Sequence, residues 1–360
     1  MKNLSFALIG NQNCGKTTLF NALTGSNQHV GNFPGVTVEG KDGIIRGHKN
    51  AVLVDLPGIY SLSPYTSEEV VTRDFLINNR PDAIINIVDA TNLERNLYLT
   101  LQLIDLSIPM VLALNMMDEV TACGNSIDIA ELSKQLGIPA VPISASRGDG
   151  VDELVRTALE TALKDTRPAR IDFCEGAVHR AIHSIAHIIE DHAQKADIPV
   201  RFAASCLAAG DPPMEKALSL CDMDADIIQH IAYEMEKSTG TDREAALADM
   251  RYSFIETLCE KVLHKSSETR EHKLSLRIDK VLTHRIFAIP IFLLIMSAVF
   301  YLTFNVFGAF FSDLMSQGVA RVTELTDNLL SNAGVNEVIH SLIIDGAFVG
   351  IGSVLSFLPT

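Results

Sequence analysis

Apolar runs of four to eight residues recur along the first 143 positions, and between them lie longer stretches whose apolar residues return every three or four places. The runs at 4–9, 50–55, 82–89, 109–114 and 140–143 read as buried strands, and 38–46 reads as a strand paired with 50–55. The stretches at 18–23, 67–78, 92–106, 130–136 and 152–163 read as helices, with Ser67 as the N-cap of the second and Glu68 and Glu69 in its first turn. Strands alternating with helices predict an α/β fold, with a mostly parallel sheet covered on both faces. Residues 27–37 are polar and glycine-containing and read as a loop.

Beyond Pro168 the alternation stops. To about residue 265 only helical patterns remain, notably 224–237 and 241–264, the latter with Thr241 as N-cap and Glu244 completing a capping box. An all-α domain is expected there. Arg270, Lys273, Arg277, Lys280 and Arg285 then precede residues 286–311, which carry no charged side chain. As a helix this stretch is about 39 Å long at 1.5 Å per residue. That exceeds the roughly 30 Å hydrocarbon core, so it reads as a transmembrane helix, with Pro290 tolerated in its first turns. The basic flank puts residues 1–285 on the cytoplasmic side. The expected division is 1–166, 167–268, a basic juxtamembrane segment 269–285, a span at 286–311, an extracytoplasmic segment 312–341, and the start of a second, Gly-rich membrane segment at 342–360.

Charge and cysteines narrow the function. The formal net charge of −15 argues against nucleic acid as a partner. The six cysteines form no C-x-x-C pair, which fits reduced thiols rather than a disulfide framework or a zinc site. The apolar run after Lys2 reads as the first strand, not as a signal peptide.

Candidate chemistry sits at the ends of the expected strands. Gly10-Asn11-Gln12-Asn13-Cys14-Gly15-Lys16-Thr17 reads G-x-x-x-x-G-K-[ST], placed between a strand and a helix, with Thr18 continuing into that helix. The glycines let the backbone wrap a phosphate, Lys16 reaches the β and γ phosphates, and the Thr17 hydroxyl suits Mg²⁺. Gly35-Val36-Thr37 closes the polar loop, where Thr37 would complete the Mg²⁺ shell and sense a γ-phosphate. Asp55-Leu56-Pro57-Gly58 ends a strand; Asp55 can hold Mg²⁺ through water, and Gly58 can offer its N–H to the γ-phosphate. Asn115-Met116-Met117-Asp118 reads N-x-x-D, in which Asp118 accepts from guanine N1–H and the 2-amino group and Asn115 ties back to the phosphate loop. Ser144-Ala145-Ser146 suits the guanine edge. Together these imply a P-loop GTPase of Ras-like fold that binds GTP or GDP with Mg²⁺.

Two positions depart from the common GTPase pattern. Met116 stands where a lysine is usual, and Ile59 stands where Ras-like enzymes carry a water-orienting glutamine. With no arginine finger in evidence, slow hydrolysis is expected. Asn13 suggests a substitute, because GTPases with asparagine there often hold K⁺, which neutralises transition-state charge as a guanidinium does. His179, His183 and His187 recur every four residues and read as a solvated stripe opposite the apolar face Val178, Ile182, Ile185 and Ile189.

Residues 10–17, 33–37, 55–58 and 115–118, and above all Asn11-Gln12-Asn13-Cys14 and the run 32–39, resemble the G domain of the bacterial ferrous iron transporter family FeoB. The resemblance extends over the whole chain, and that family continues beyond residue 360. It implies a helical domain that modulates nucleotide affinity, Fe²⁺ as the transported ion, and a bacterial inner membrane location. It also implies a homo-oligomer and a small accessory protein. The competing expectation is a membrane-tethered GTPase switch that transports nothing. A soluble K⁺-dependent GTPase acting on RNA is disfavoured by the acidity and the span.

Overall fold

The computed structural model describes residues 3–25, 28–32, 39–169, 176–264 and 288–332, together with 336, 339, 341–348, 350 and 354. The chain divides into two compact units, 1–267 and 268–360.

In the first unit, β1 (Leu4–Gly10), β2 (Gln28–Asn32), β3 (Glu39–Ile44), β4 (Ala51–Asp55), β5 (Ala83–Asp89), β6 (Met110–Asn115) and β8 (Ala140–Pro142) form one sheet in the order β2-β3-β4-β1-β5-β6-β8. Strands β4, β1, β5, β6 and β8 run parallel, whereas β2 and β3 add antiparallel at one edge. β2 corrects the expectation that 27–37 is all loop. An edge strand needs backbone partners on one side only, here β3, so its sequence carries no apolar alternation.

Side chains alternate across the central strands, as the two-residue period requires. Phe6 and Leu8 of β1 face a core shared with Leu19, Phe20 and Leu23 of α1 (Lys16–Thr24) and Leu154 and Ala158 of α6 (Val151–Leu163). Ala7 and Ile9 face the opposite core. That second core includes α2 (Ser67–Asn78), α3 (Leu93–Asp105) and α5 (Ile129–Leu136), and it continues into the helices that follow. These are α7 (Gly176–Ala196), α8 (Val200–Ala208), α9 (Pro212–Ala217), α10 (Asp222–Thr239) and α11 (Arg243–Val262).

α3 shows why the two halves share a core. Leu97, Leu99, Leu101 and Leu103 are each fully buried, and residues two apart cannot share one helix face. The sheet covers one side of α3, and α8 and α11 cover the other. Its polar side chains are matched: Thr100 donates to Asn86 Oδ1 at 2.7 Å, Gln102 Oε1 accepts from Leu62 N at 2.7 Å, and Asp105 accepts from Arg201 Nε at 3.0 Å. Arg73 of α2 forms a buried ion pair with Asp211, whose Oδ1 also caps α9 through Met214 N at 3.1 Å. Tyr98 stacks on Tyr252 with ring centroids 5.1 Å apart.

Two helix starts differ from expectation by one residue. Thr66, not Ser67, caps α2 and forms a complete capping box with Glu69. Asp242, not Thr241, caps α11 through Ala245 N at 2.9 Å, and Glu244 instead accepts a hydrogen bond from the Tyr65 hydroxyl. The chain then returns to the first half. Ser126–Ile127 (β7), just after α4 (Met117–Ala122), pairs antiparallel with Leu263–His264 (β9), a strand that the helical pattern of this region did not suggest.

In the second unit, residues 288–332 form one helix of 45 residues, long and apolar enough in part to cross a membrane. Its turns loosen to π geometry over Leu302–Gly308. The helix continues through residues 312–332, beyond the expected span, although Asp313, Arg321, Glu324 and Asp327 make this part polar. A π-helical stretch, Leu342–Phe348, lies in the expected second membrane segment.

Candidate nucleotide-binding site

The carboxyl ends of β1, β4 and β6 bring the sequence motifs to one edge of the sheet, where parallel α/β sheets bind ligands. The loop after β1 is built around glycines. A Cβ on Gly10 would meet the Ile87 carbonyl oxygen at 2.4 Å, and one on Gly15, whose φ is +89°, would meet Asn115 Nδ2 at 2.2 Å. Asn13 itself takes a left-handed φ of 65° and is exposed. The N–H groups of Asn13, Gly15 and Thr17 donate to no protein group among the described residues. They lie at the start of α1, so unspent donors and the helix dipole coincide, which suits a phosphate.

Lys16 forms an ion pair with Asp55, both largely buried. Their charges therefore face the same small space, next to exposed Thr17 and Thr18. A carboxylate, a hydroxyl and a helix N-terminus fit a hydrated divalent cation bridging to phosphate. The Gly58 N–H likewise has no partner among the described residues, while its carbonyl accepts from Gln12 Nε2 at 3.4 Å. Ile59 is buried in the core with its N–H on the Gly10 carbonyl at 3.3 Å, so its side chain is turned away from this edge. Cys14 is buried too, and burial pushes its thiol up to about 11.

Asn115 joins two loops. Its Nδ2 donates to the Cys14 carbonyl at 2.9 Å, and its Oδ1 accepts from Ala145 N at 2.9 Å. The first link is the one expected from sequence; the second was not. Met116 adopts a left-handed φ of 65°, which turns the chain so that Asp118 falls in the first turn of α4. Asp118 pairs with Arg147 Nε at 3.0 Å, a contact without a motif to announce it. Ser144 and Ala145 are buried, and Ser146 is exposed with its Oγ 3.4 Å from Ser144 Oγ. Gly35, Val36 and Thr37 lie outside the described residues.

The segment after Gly58 is held on α3 and, at Tyr65, on α11 of the helical half. Leu62 N reaches Gln102, Tyr60 lies under the Arg95 guanidinium at 4.5 Å, and Tyr65 reaches Glu244. The Glu244 carboxylate pushes the Tyr65 hydroxyl up to about 12. His183 and His187 are exposed with ring centroids 4.6 Å apart, and the apolar face opposite is buried, as the four-residue spacing implied. No cluster of three or more metal-ligating side chains occurs among the described residues.

Residues 4–158 match the family model described as "Ferrous iron transport protein B", and residues 175–264 match "FeoB cytosolic helical domain". Among similar proteins, an Fe(2+) transport protein A/Fe(2+) transporter FeoB fusion protein from Porphyromonas gingivalis is 37% identical over 98% of this chain and 42% of its own length. The Fe(2+) transporter FeoB of Staphylococcus aureus (strain MSSA476) is 34% identical over 99% of this chain and 53% of its own length. The chain thus spans about half the length of the curated relatives it matches. A crystal structure of NFeoB from S. thermophilus bound to GDP.AlF4- and K+ is 42% identical, covering 72% of this chain and 100% of that one, with a TM-score of 0.62. With the sheet, the helical half and both family matches in agreement, the chain belongs to the FeoB family of ferrous iron transport proteins.

Proposed function

We propose that this chain binds guanine nucleotide at the carboxyl edge of the sheet and hydrolyses GTP, with residues 1–285 as the cytoplasmic part of a bacterial inner-membrane Fe²⁺ transporter. One observation carries the reading. Unspent N–H donors, the Lys16–Asp55 pair and the Asp118 carboxylate converge on one edge, with Asn115 bracing the loops between them. The N–H groups of the 10–17 loop would wrap the phosphates, drawing Lys16 from Asp55 onto the β and γ oxygens. Thr17, Thr37 and Asp55 would hold Mg²⁺, which supplies charge neutralisation on the phosphates. The Gly58 N–H, free to turn toward a γ-phosphate, would report its loss on hydrolysis. Ser144, Ala145 and Ser146 would line the guanine edge. Asn13 would place its amide oxygen for K⁺ where a finger guanidinium acts in other GTPases. The K⁺ in the S. thermophilus structure supports that assignment. The fusion of an Fe(2+) transport protein A in one relative supports a small accessory partner.

Titration with GTP, ATP and xanthosine triphosphate tests the base assignment. Asp118→Asn is expected to weaken GTP and favour the xanthine base, whose 2-oxo group needs a donor. Equal GTP affinity in variant and parent rejects the assignment. Fe²⁺ uptake by full-length protein, with Lys16→Ala as control, tests the transport half.

A further inference from the structure

We infer that Arg147 is a built-in competitor of the guanine base: it pairs with the same Asp118 carboxylate that the base needs and so sets how tightly, and for how long, nucleotide is held. The inference rests on Asp118 being the base acceptor.

Asp118 is 17% exposed and sits in a short helix turn, so an unpaired carboxylate there is poorly solvated. Arg147 supplies its partner through one contact, Nε to Oδ2 at 3.0 Å, from a side chain that is 64% exposed. A single-contact ion pair whose cation is largely exposed is among the weaker kinds, which is what a displaceable partner requires. The loop that carries Arg147 is rigid. Its N–H and that of Gly148 both reach the Ser144 carbonyl, at 3.1 and 2.8 Å, and Ser144 bridges to Asp149. Ala145 of the same loop is fixed to Asn115. The guanidinium is therefore presented to Asp118 by fixed backbone and withdraws only by side-chain rotation.

Guanine N1–H and the 2-amino group need both oxygens of that carboxylate as acceptors. Arg147 draws on one of them, Oδ2. If it leaves, its ion pair is lost; if it stays on an outer lone pair, it shares the charge that the base donors seek. Both routes lower guanine affinity. Preorganisation acts the other way but is small, because aspartate has only two rotatable side-chain bonds and its backbone already lies in α4. Adenine nucleotides do not use this carboxylate and are blind to the effect.

The test uses the full chain in detergent, with GDP binding by calorimetry and GDP release by stopped flow. Arg147→Ala is expected to tighten GDP roughly two- to fivefold, the range of an exposed ion pair, mainly through slower release. Arg147→Lys keeps the charge and is expected to bind close to the parent. High salt narrows the gap between Arg147→Ala and parent. In an Asp118→Asn background, Arg147→Ala is expected to change nothing. Equal or weaker GDP binding by Arg147→Ala, with Asp118→Asn still impaired, overturns this inference alone. An Asp118→Asn protein that binds GDP like the parent overturns instead the base assignment beneath it.

Discussion

Replacing Asn115 by alanine removes both arms of the link between the phosphate loop and the 144–149 loop. Both hydrogen bonds join protein groups, so their loss falls directly on the stability of the fold. Asn115 is 4% exposed, and Cys14 and Ala145 are buried around it, so water does not readily replace the lost amide. An orphaned buried donor or acceptor costs about 1–3 kcal/mol, and two partners are orphaned, the Cys14 carbonyl and the Ala145 N–H. Partial relaxation of the two loops returns some of this, which leaves about 2–4 kcal/mol. That is a large share of a typical 5–15 kcal/mol of stability, yet short of abolishing the fold. Urea unfolding should therefore shift to lower midpoint with an unchanged slope. GDP affinity should fall roughly tenfold or more, because binding must then order two loops that the parent holds ready; tenfold corresponds to about 1.4 kcal/mol. Asn115→Asp keeps the acceptor for Ala145 N but sets an oxygen against the Cys14 carbonyl, so it should not rescue. A stability loss under about 0.5 kcal/mol, smaller than one ordinary hydrogen bond, with unchanged GDP affinity would refute the reasoning.

Phosphate release in KCl should exceed that in NaCl at equal ionic strength, and Asn13→Ala should erase the difference while GTP still binds; a parent indifferent to the cation ends the K⁺ assignment. Arg73→Ala should destabilise the first unit by about 3–5 kcal/mol, because it strands Asp211 in the shared core, whereas Arg73→Met together with Asp211→Asn should recover most of that; thermal melts distinguish them. Cys14, pushed by burial from 9.0 to about 11, should resist iodoacetamide at pH 8.5 while exposed Cys123 reacts, read by peptide mass spectrometry. The native state keeps a proton that the unfolded chain releases above about pH 9, so this thiol's contribution to stability is present below pH 9 and lost toward pH 11; Cys14→Ala should flatten that part of the pH–stability curve.

The central strands were legible because parallel strands buried on both faces leave unbroken apolar runs, as in residues 109–114. β2 was not, since its place rests on backbone pairing with β3. Neighbouring residues that can both cap a helix, Thr66 with Ser67 and Thr241 with Asp242, hid the true helix starts. The candidate site was legible wherever its chemistry is packed into a short stretch, as at 10–17 and 115–118. Arg147, the Ala145 arm of Asn115 and the Tyr65–Glu244 contact were not, because each joins positions that only the folded sheet or the shared core brings together. The dense leucines of α3 did carry a signal of the second layer, because a surface helix has no use for apolar residues all round.

The two-residue ladder between β7 and β9 ties the end of the helical half back to the first half. Asp128 N on the Val262 carbonyl at 2.9 Å extends it by one more rung. Because His264 is clamped there, a pull on the chain that follows it is borne first by this short ladder, not by the whole helical half. Only Cys123, Gly124 and Asn125 separate Ser126 from the end of α4, which carries Asp118. An antiparallel ladder pulled along one strand shears its rungs together, so it resists tension up to a threshold and then gives way at once. Tension on the chain after His264 thus has a path of few residues to the turn that carries Asp118, and the rungs between Ser126–Ile127 and Leu263–His264 set how much of it arrives.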